Sequence, residues 1–297
     1  MWLILSFLSA IFASLTTISI KIGIKNVNSN FATFYRTCIV VIFSFLICWL
    51  NKSLSDIRFL SFENWLFLFA SGISTGFSWL FYNKAIQLGN VSKVAPIDKS
   101  SFILTSILFF IFFFDDTTNN GDFTTIVFLF LSMILMGGGT FFMIDKKKND
   151  HIINKNWIIY AILSSFFASL VSIFIKIGLE NISSNLGTLI RTFVVFLFSL
   201  SFFILDKDCK MVSSYGLRNW IFLTLSGLLT GSSWLIEYYL LGMRNVNPIA
   251  VNSISKLSIL FTMLFSYLIL KEKFSKRSIF GLLLLVFGII IIIIFSF

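Results

Sequence analysis

One histidine, two prolines and three cysteines in 297 residues leave little material for several kinds of chemistry. The histidine, His151, falls in a polar central segment, which argues against a histidine-based active site or metal centre. Cys38, Cys48 and Cys209 have neither metal-ligand spacing nor the pattern of a disulfide framework. No Ser–His, Cys–His or clustered carboxylate arrangement appears, so no enzymatic activity, cofactor or metal is expected. Charge is scarce as well. Only 12% of residues are Asp, Glu, Lys or Arg, about half the share of an ordinary soluble domain.

What is abundant is apolar: 57% of residues are hydrophobic, 39 are phenylalanine, and the mean hydropathy is +0.94. Uninterrupted apolar runs of roughly 18 residues are long enough to cross a bilayer as helices. The chain therefore reads as an all-α integral membrane protein. The phenylalanine blocks, such as Phe112–Phe114, read as lipid-facing filler. Met1-Trp2-Leu3 carries no basic residue ahead of its apolar run, which favours a first spanning helix over a removable signal segment. The net charge of +10 does not indicate nucleic acid, because most Lys and Arg sit in short connections between apolar runs.

The chain repeats itself. Ser19-Ile20-Lys21-Ile22-Gly23 with Arg36-Thr37 recurs as Ile173–Gly178 with Arg191-Thr192, at an offset of 155 residues. The same offset links Asn64-Trp65 to Asn219-Trp220, Gly72-x-x-x-Gly76 to Gly227-x-x-x-Gly231, and Ser78-Trp79 to Ser233-Trp234. A constant spacing over so long a stretch indicates an internal duplication. Residues 1–145 form one unit and 146–297 the other, separated near the charged run 145–150. The first unit reads as helices over about 2–21, 33–50, 64–87, 94–114 and 123–144, the second over about 157–177, 187–205, 219–241, 249–270 and 278–296. Five spans per unit force the second copy to enter the membrane from the opposite face. The expected architecture is ten transmembrane helices in two inverted five-helix repeats around a central cavity, a transporter design with the solute site at mid-membrane.

Pro96 and Pro248 both fall at the expected entries of helices four and nine, where proline costs no hydrogen bond; a bent or opened helix entrance near the cavity is the alternative reading. The glycine pairs on helices three and eight allow close helix approach. Gly137-Gly138-Gly139 has no counterpart in the second unit.

Charges within the apolar runs mark the candidate site. Arg36, Lys84, Asp98 and Lys99 in the first unit, and Arg191, Glu237 and Lys256 in the second, each carry an insertion cost of ~2.5–3.5 kcal/mol at mid-bilayer. Such residues face a wet cavity or one another. Pairing of Asp98 with Lys84 or Lys99, and of Glu237 with Lys256, is the alternative, as is snorkelling of Arg36 and Lys84 to the interface. Cations outnumber carboxylates in the set, which would suit an anionic or carboxylate-bearing solute. Trp79, Tyr82 and Asn83 on helix three, with Trp234 and Tyr238 on helix eight, complete a mixed polar and aromatic surface. Interfacial anchoring accounts for the tyrosines equally well.

The segments Ser78–Ala85 and Ser92–Lys99, with Leu270–Ser275, Gly281 and Gly288 near the end, resemble the EamA-type ten-helix branch of the drug/metabolite transporter superfamily. The resemblance covers nearly the whole chain and implies secondary transport of small organic solutes, such as amino acids, other metabolites or drugs, by alternating access, often as export. It departs at Phe114-Asp115-Asp116, where a Gly-Glu ending is usual, and at Val251–Lys256, which lacks the Pro-Ile-Asp-Lys run of the first unit. The superfamily's small multidrug exporters use a first-helix carboxylate; helices one and six here contain none, which leaves Asp98 and Glu237 as candidates for a coupled proton. The expected partners are a small-molecule solute and the lipid bilayer, in a plasma or bacterial inner membrane, with the protein a monomer or homodimer. A non-transporting membrane interaction or scaffold protein is the competing class. Connections after odd-numbered helices hold fourteen Lys or Arg against four on the other side, which puts both termini outside; the resemblance implies cytoplasmic termini.

Overall fold

The computed structural model of the chain describes residues 1–113, 123–143, 156–206, 215–243, 246–272 and 274–295. The charged run 145–150, His151, Asp115, Asp116, Cys209, Arg244, Asn245 and Lys273 lie outside them. Among the described residues there is no strand. The helices are α1 (Trp2–Gly23), α2 (Ser29–Leu50), α3 (Phe62–Leu88), α4 (Val91–Lys99), α5 (Ser101–Phe112), α6 (Phe123–Met143), α7 (Trp157–Gly178), α8 (Ser184–Leu205), α9 (Leu217–Leu241), α10 (Pro248–Ser255), α11 (Ser258–Phe265) and α12 (Lys276–Phe295). A 3₁₀ segment, Ser53–Phe59, follows α2, and a π turn, Ser266–Leu270, ends α11.

Among the described residues eight stretches are long and apolar enough to cross a membrane, two of them running through the α4–α5 and α10–α11 interruptions. The α9 and α12 helices, of 25 and 20 residues, are not among the eight. Their outer faces carry bare apolar side chains, for example Leu217, Ile221, Leu283 and Phe287. In water such faces would be unfavourable; in a hydrocarbon solvent they match their surroundings. The protein is a multi-pass helical membrane protein.

Local chemistry sets the helix ends. The α2 helix starts four residues before its expected position because the Asn28 side chain accepts from Asn30 N–H. Ser61 and Asn64 form a capping box at the start of α3. Asn26 and Asn181, 155 residues apart, both adopt the left-handed conformation just after α1 and α7, with φ of 61° and 60°.

The two expected proline positions diverge. Pro248 opens α10 in the first turn, with Asn247 capping Ile249 and Ala250 N–H. Pro96 instead lies inside α4, because that helix begins earlier, at Val91. The helix is interrupted four residues later, where Ser100 N–H reaches back to Pro96 and Ile97 carbonyls. The second interruption falls at Lys256–Leu257. The expected fourth and ninth helices are thus each broken rather than continuous.

Packing exchanges partners between the two halves of the chain. The α1 helix packs on α9 and α3 on α7, while α2 faces α8 and α6 faces α12. The glycines explain the closeness. Gly72 abuts Val194 and the Arg191 carbonyl on α8; Gly227 abuts Ile39 and the Arg36 carbonyl on α2. Each contact has its counterpart 155 residues away.

The same rule governs two asparagines. Asn64 Nδ2 donates to the carbonyls of Gly178 (3.1 Å) and Glu180 (3.0 Å), and Asn219 Nδ2 to those of Gly23 (2.9 Å) and Lys25 (3.0 Å). Each amide therefore satisfies carbonyls that the end of a helix in the other half leaves without partners. Asn64→Ala is expected to cost ~1–3 kcal/mol by leaving the buried Gly178 carbonyl unmet. Asn219, which is more exposed, should cost less. Melting curves of the two purified variants check this order.

Candidate functional site

A cavity of about 170 Å³ lies where α1, α2, α3, α4, α7, α8 and α9 meet, with Lys256 reaching it from the break after α10. Ten of the twelve candidate residues line it: Arg36, Trp79, Tyr82, Asp98 and Lys99 from the first half, and Arg191, Trp234, Glu237, Tyr238 and Lys256 from the second. The volume is below the ~300–1,000 Å³ of pockets for drug-sized ligands.

Two arginines dominate the wall. Arg36 is 4% exposed and Arg191 1%, so neither snorkels to an interface. The Arg36 guanidinium sits 3.7 Å from the Trp79 ring centre; Arg191 sits 3.9 Å from that of Trp234 and 4.7 Å from that of Tyr238. The two indoles lie against each other, centroids 4.9 Å apart. The order is cation, indole, indole, cation. A desolvated cation over an indole gains ~2 kcal/mol, which partly offsets the burial of each charge.

Hydrogen bonding follows the duplication. Arg36 Nη2 donates to Thr230 Oγ1 (3.2 Å) and Arg191 Nη1 to Thr75 Oγ1 (3.0 Å), so each arginine ties its own half to the other. On each guanidinium Nε and one further nitrogen are buried without a partner. Unmet buried donors cost ~1–3 kcal/mol apiece, more when charged. Among the described residues no carboxylate accepts from either group.

The carboxylates differ from each other. Asp98 accepts a hydrogen bond from Ser164 Oγ at 2.6 Å, and Ser164 also meets Ser78 Oγ at 3.3 Å. Glu237 is half-buried on the cavity wall, near enough to Arg191 and Lys256 to interact with both electrostatically. Lys99 ends α4 and Lys256 caps α10, so the two helix interruptions each bring an ammonium to the cavity. Tyr82 meets Thr17 Oγ1 at 3.2 Å.

Two candidates lie elsewhere. Asn83 is fully buried and donates to Thr33 Oγ1 at 2.5 Å, joining α3 to α2. Lys84 is exposed and lines a separate cleft with Asn28, Gln87, Tyr160 and Asp206. The small polar residues Thr16, Thr17, Ser172, Ser78 and Ser233, together with Thr75 and Thr230, also line the cavity and were not among the candidates. Their signal is helical spacing. Thr75, Ser78, Trp79 and Tyr82 fall at i, i+3, i+4 and i+7, as do Thr230, Ser233, Trp234 and Glu237, each set a single helix face.

The model of the EamA-like transporter family matches residues 1–138 and again 155–294, nearly the whole chain in two copies. The chain belongs to the EamA-like transporter family. It is thereby a member of the drug/metabolite transporter superfamily and a membrane transporter. A relative from a Sinorhizobium species, described as an uncharacterized transporter in the cobO 3' region, is 38% identical over 106 residues, covering 36% of this chain and 75% of that protein. A solved crystal structure at 12% identity superposes with a TM-score of 0.69 over 99% of this chain and 97% of that one, a likeness of fold alone.

Proposed function

We propose that this EamA-like transporter is a secondary carrier of small organic solutes, working by alternating access across a plasma or bacterial inner membrane. The observation that carries the reading is the central cavity, walled by an Arg–Trp pair from each half of the chain. Counting α9 and α12 as spans, and α4–α5 and α10–α11 as one each, makes ten. Residues 1–145 and 146–297 are then two five-helix repeats of opposite orientation. The paired contacts at an offset of 155 residues favour a twofold axis lying in the membrane plane.

Mechanistically, two halves that touch through glycines and a few polar bridges rock about those contacts. The Arg–Thr bonds and the Trp79–Trp234 contact join the two halves at the cavity. Broken helices at the solute site place charged side chains there without spanning the hydrocarbon. Export is the direction that the family resemblance implies. A proton, if coupled, has Asp98 or Glu237 as its carrier, and the unit is a monomer or homodimer.

Reconstitution into liposomes tests the carrier. Screening labelled amino acids, organic acids, nucleosides and organic cations should return at least one solute whose flux is saturable. Lys99→Ala and Glu237→Ala should abolish that flux while folding and expression persist. Equal loss of expression in both variants would assign the two residues to structural pairing, and normal flux in both would overturn their role at the site. A scaffold protein would return no transported solute at all.

A further inference from the structure

Four cations line the cavity, Arg36, Lys99, Arg191 and Lys256, against two carboxylates, Asp98 and Glu237. The balance leaves two positive charges without a matching negative one. Among the described residues neither arginine is hydrogen-bonded to a carboxylate: each spends one nitrogen on a threonine and one guanidinium face on an indole, Nε and one terminal nitrogen have no partner, and Glu237 reaches Arg191 only through its field. Asp98 is already engaged by Ser164. Lys99 and Lys256 are half-buried on the wall, within reach of an occupant.

We propose that the solute is a small organic anion carrying carboxylate, held at Lys99 and Lys256 within the field of the two buried arginines. This rests on the carrier reading above and names its substrate class. The physical reason is desolvation. A cation as deeply buried as Arg36 or Arg191 has few dipoles to stabilise it, and a carboxylate supplies the missing charge together with hydrogen-bond acceptors. A solute of opposite sign would meet the same field as a barrier. The excess of two charges matches a dicarboxylate best, and a zwitterion gains less because its ammonium faces the same lysines.

A four-carbon series separates charge from size: succinate, succinamate, 4-aminobutyrate and 1,4-diaminobutane, competing against radiolabelled succinate on the purified full-length protein. Affinity should fall in that order, with each unit by which the net charge rises from −2 through −1 to 0 weakening binding by at least about tenfold, which is ~1.4 kcal/mol, and no competition from the diamine. Lys99→Gln and Lys256→Gln should each weaken succinate at least about tenfold, and the wild-type series stands as a test even where a variant fails to fold. Binding of 4-aminobutyrate or the diamine as tight as that of succinate would overturn the assignment, and so would binding of none of the four. Saturable flux of the zwitterion or the diamine alone would sink the anion assignment and leave the carrier standing. Succinate bound but never moved, in liposomes that pass no other solute, would sink the carrier and leave the anion site.

Discussion

Liposomes carrying Arg191→Ala should transport at least about a hundredfold more slowly than wild type. Arg191 is almost wholly enclosed, faced by Trp234 and Tyr238, and bonded to Thr75 on α3. Truncation removes a charge, a cross-half hydrogen bond and the volume that holds Trp234 in place. Losses from truncating a buried, hydrogen-bonded charge run to ~2–5 kcal/mol, which brackets the expected factor. Arg191→Lys keeps the charge but not the planar stack, so it should recover part of the rate. Arg36→Ala should show the same deficit, since its indole and threonine contacts repeat those of Arg191. The measurement is flux of the solute returned by the liposome screen, per unit of incorporated protein, with a melting curve for each variant. Full activity in Arg191→Ala would reduce the residue to packing, and a deficit in only one of the two would mean that the halves do not act alike.

Gly281→Ala should lower the melting temperature by roughly 5 °C or more, with Gly138→Ala as the silent control. A Cβ at Gly281 would come within 2.5 Å of the Gly139 carbonyl oxygen and 2.8 Å of Met143 N. A Cβ at Gly139 would lie 2.6 Å from the Gly281 oxygen and 2.8 Å from Leu285 N. These are backbone atoms, so relief requires α6 and α12 to separate along their length. Forcing atoms into such a contact costs ~1–3 kcal/mol, and each kcal/mol shifts the midpoint by about 2–4 °C in chains of 150–250 residues. At Gly138 a Cβ would meet nothing within 4 Å. Equal melting temperatures for the two variants would show that this close approach does not support the fold.

The glycine run at 137–139 lacked a duplicate in the sequence, and the reason is now plain. Gly139 meets Gly281, on the partner helix of the other half, rather than matching a residue 155 positions on. Pro96 misled in a related way. The start of α4 was set at Val91, where the chain emerges from Gly89-Asn90, rather than by the apolar pattern that follows. Lys84 and Asn83 do not line the cavity. On a helix of 3.6 residues per turn Lys84 lies opposite the face that carries Thr75, Ser78, Trp79 and Tyr82, and Asn83 lies at its edge, where it meets Thr33 on α2.

Duplication, helical class, membrane residence and ten of the twenty residues that line the cavity were all written in the linear chain. Each of them follows from composition or period: apolar length, a fixed offset, and charges too costly for hydrocarbon unless they gather inside. Three-dimensional packing decided the rest. Arg36 finds its threonine 194 residues away and Arg191 its own 116 residues away, and the asparagine clamps cross between halves in the same manner. No local pattern encodes partners at such separations, because they are created only when two copies of one unit close on each other.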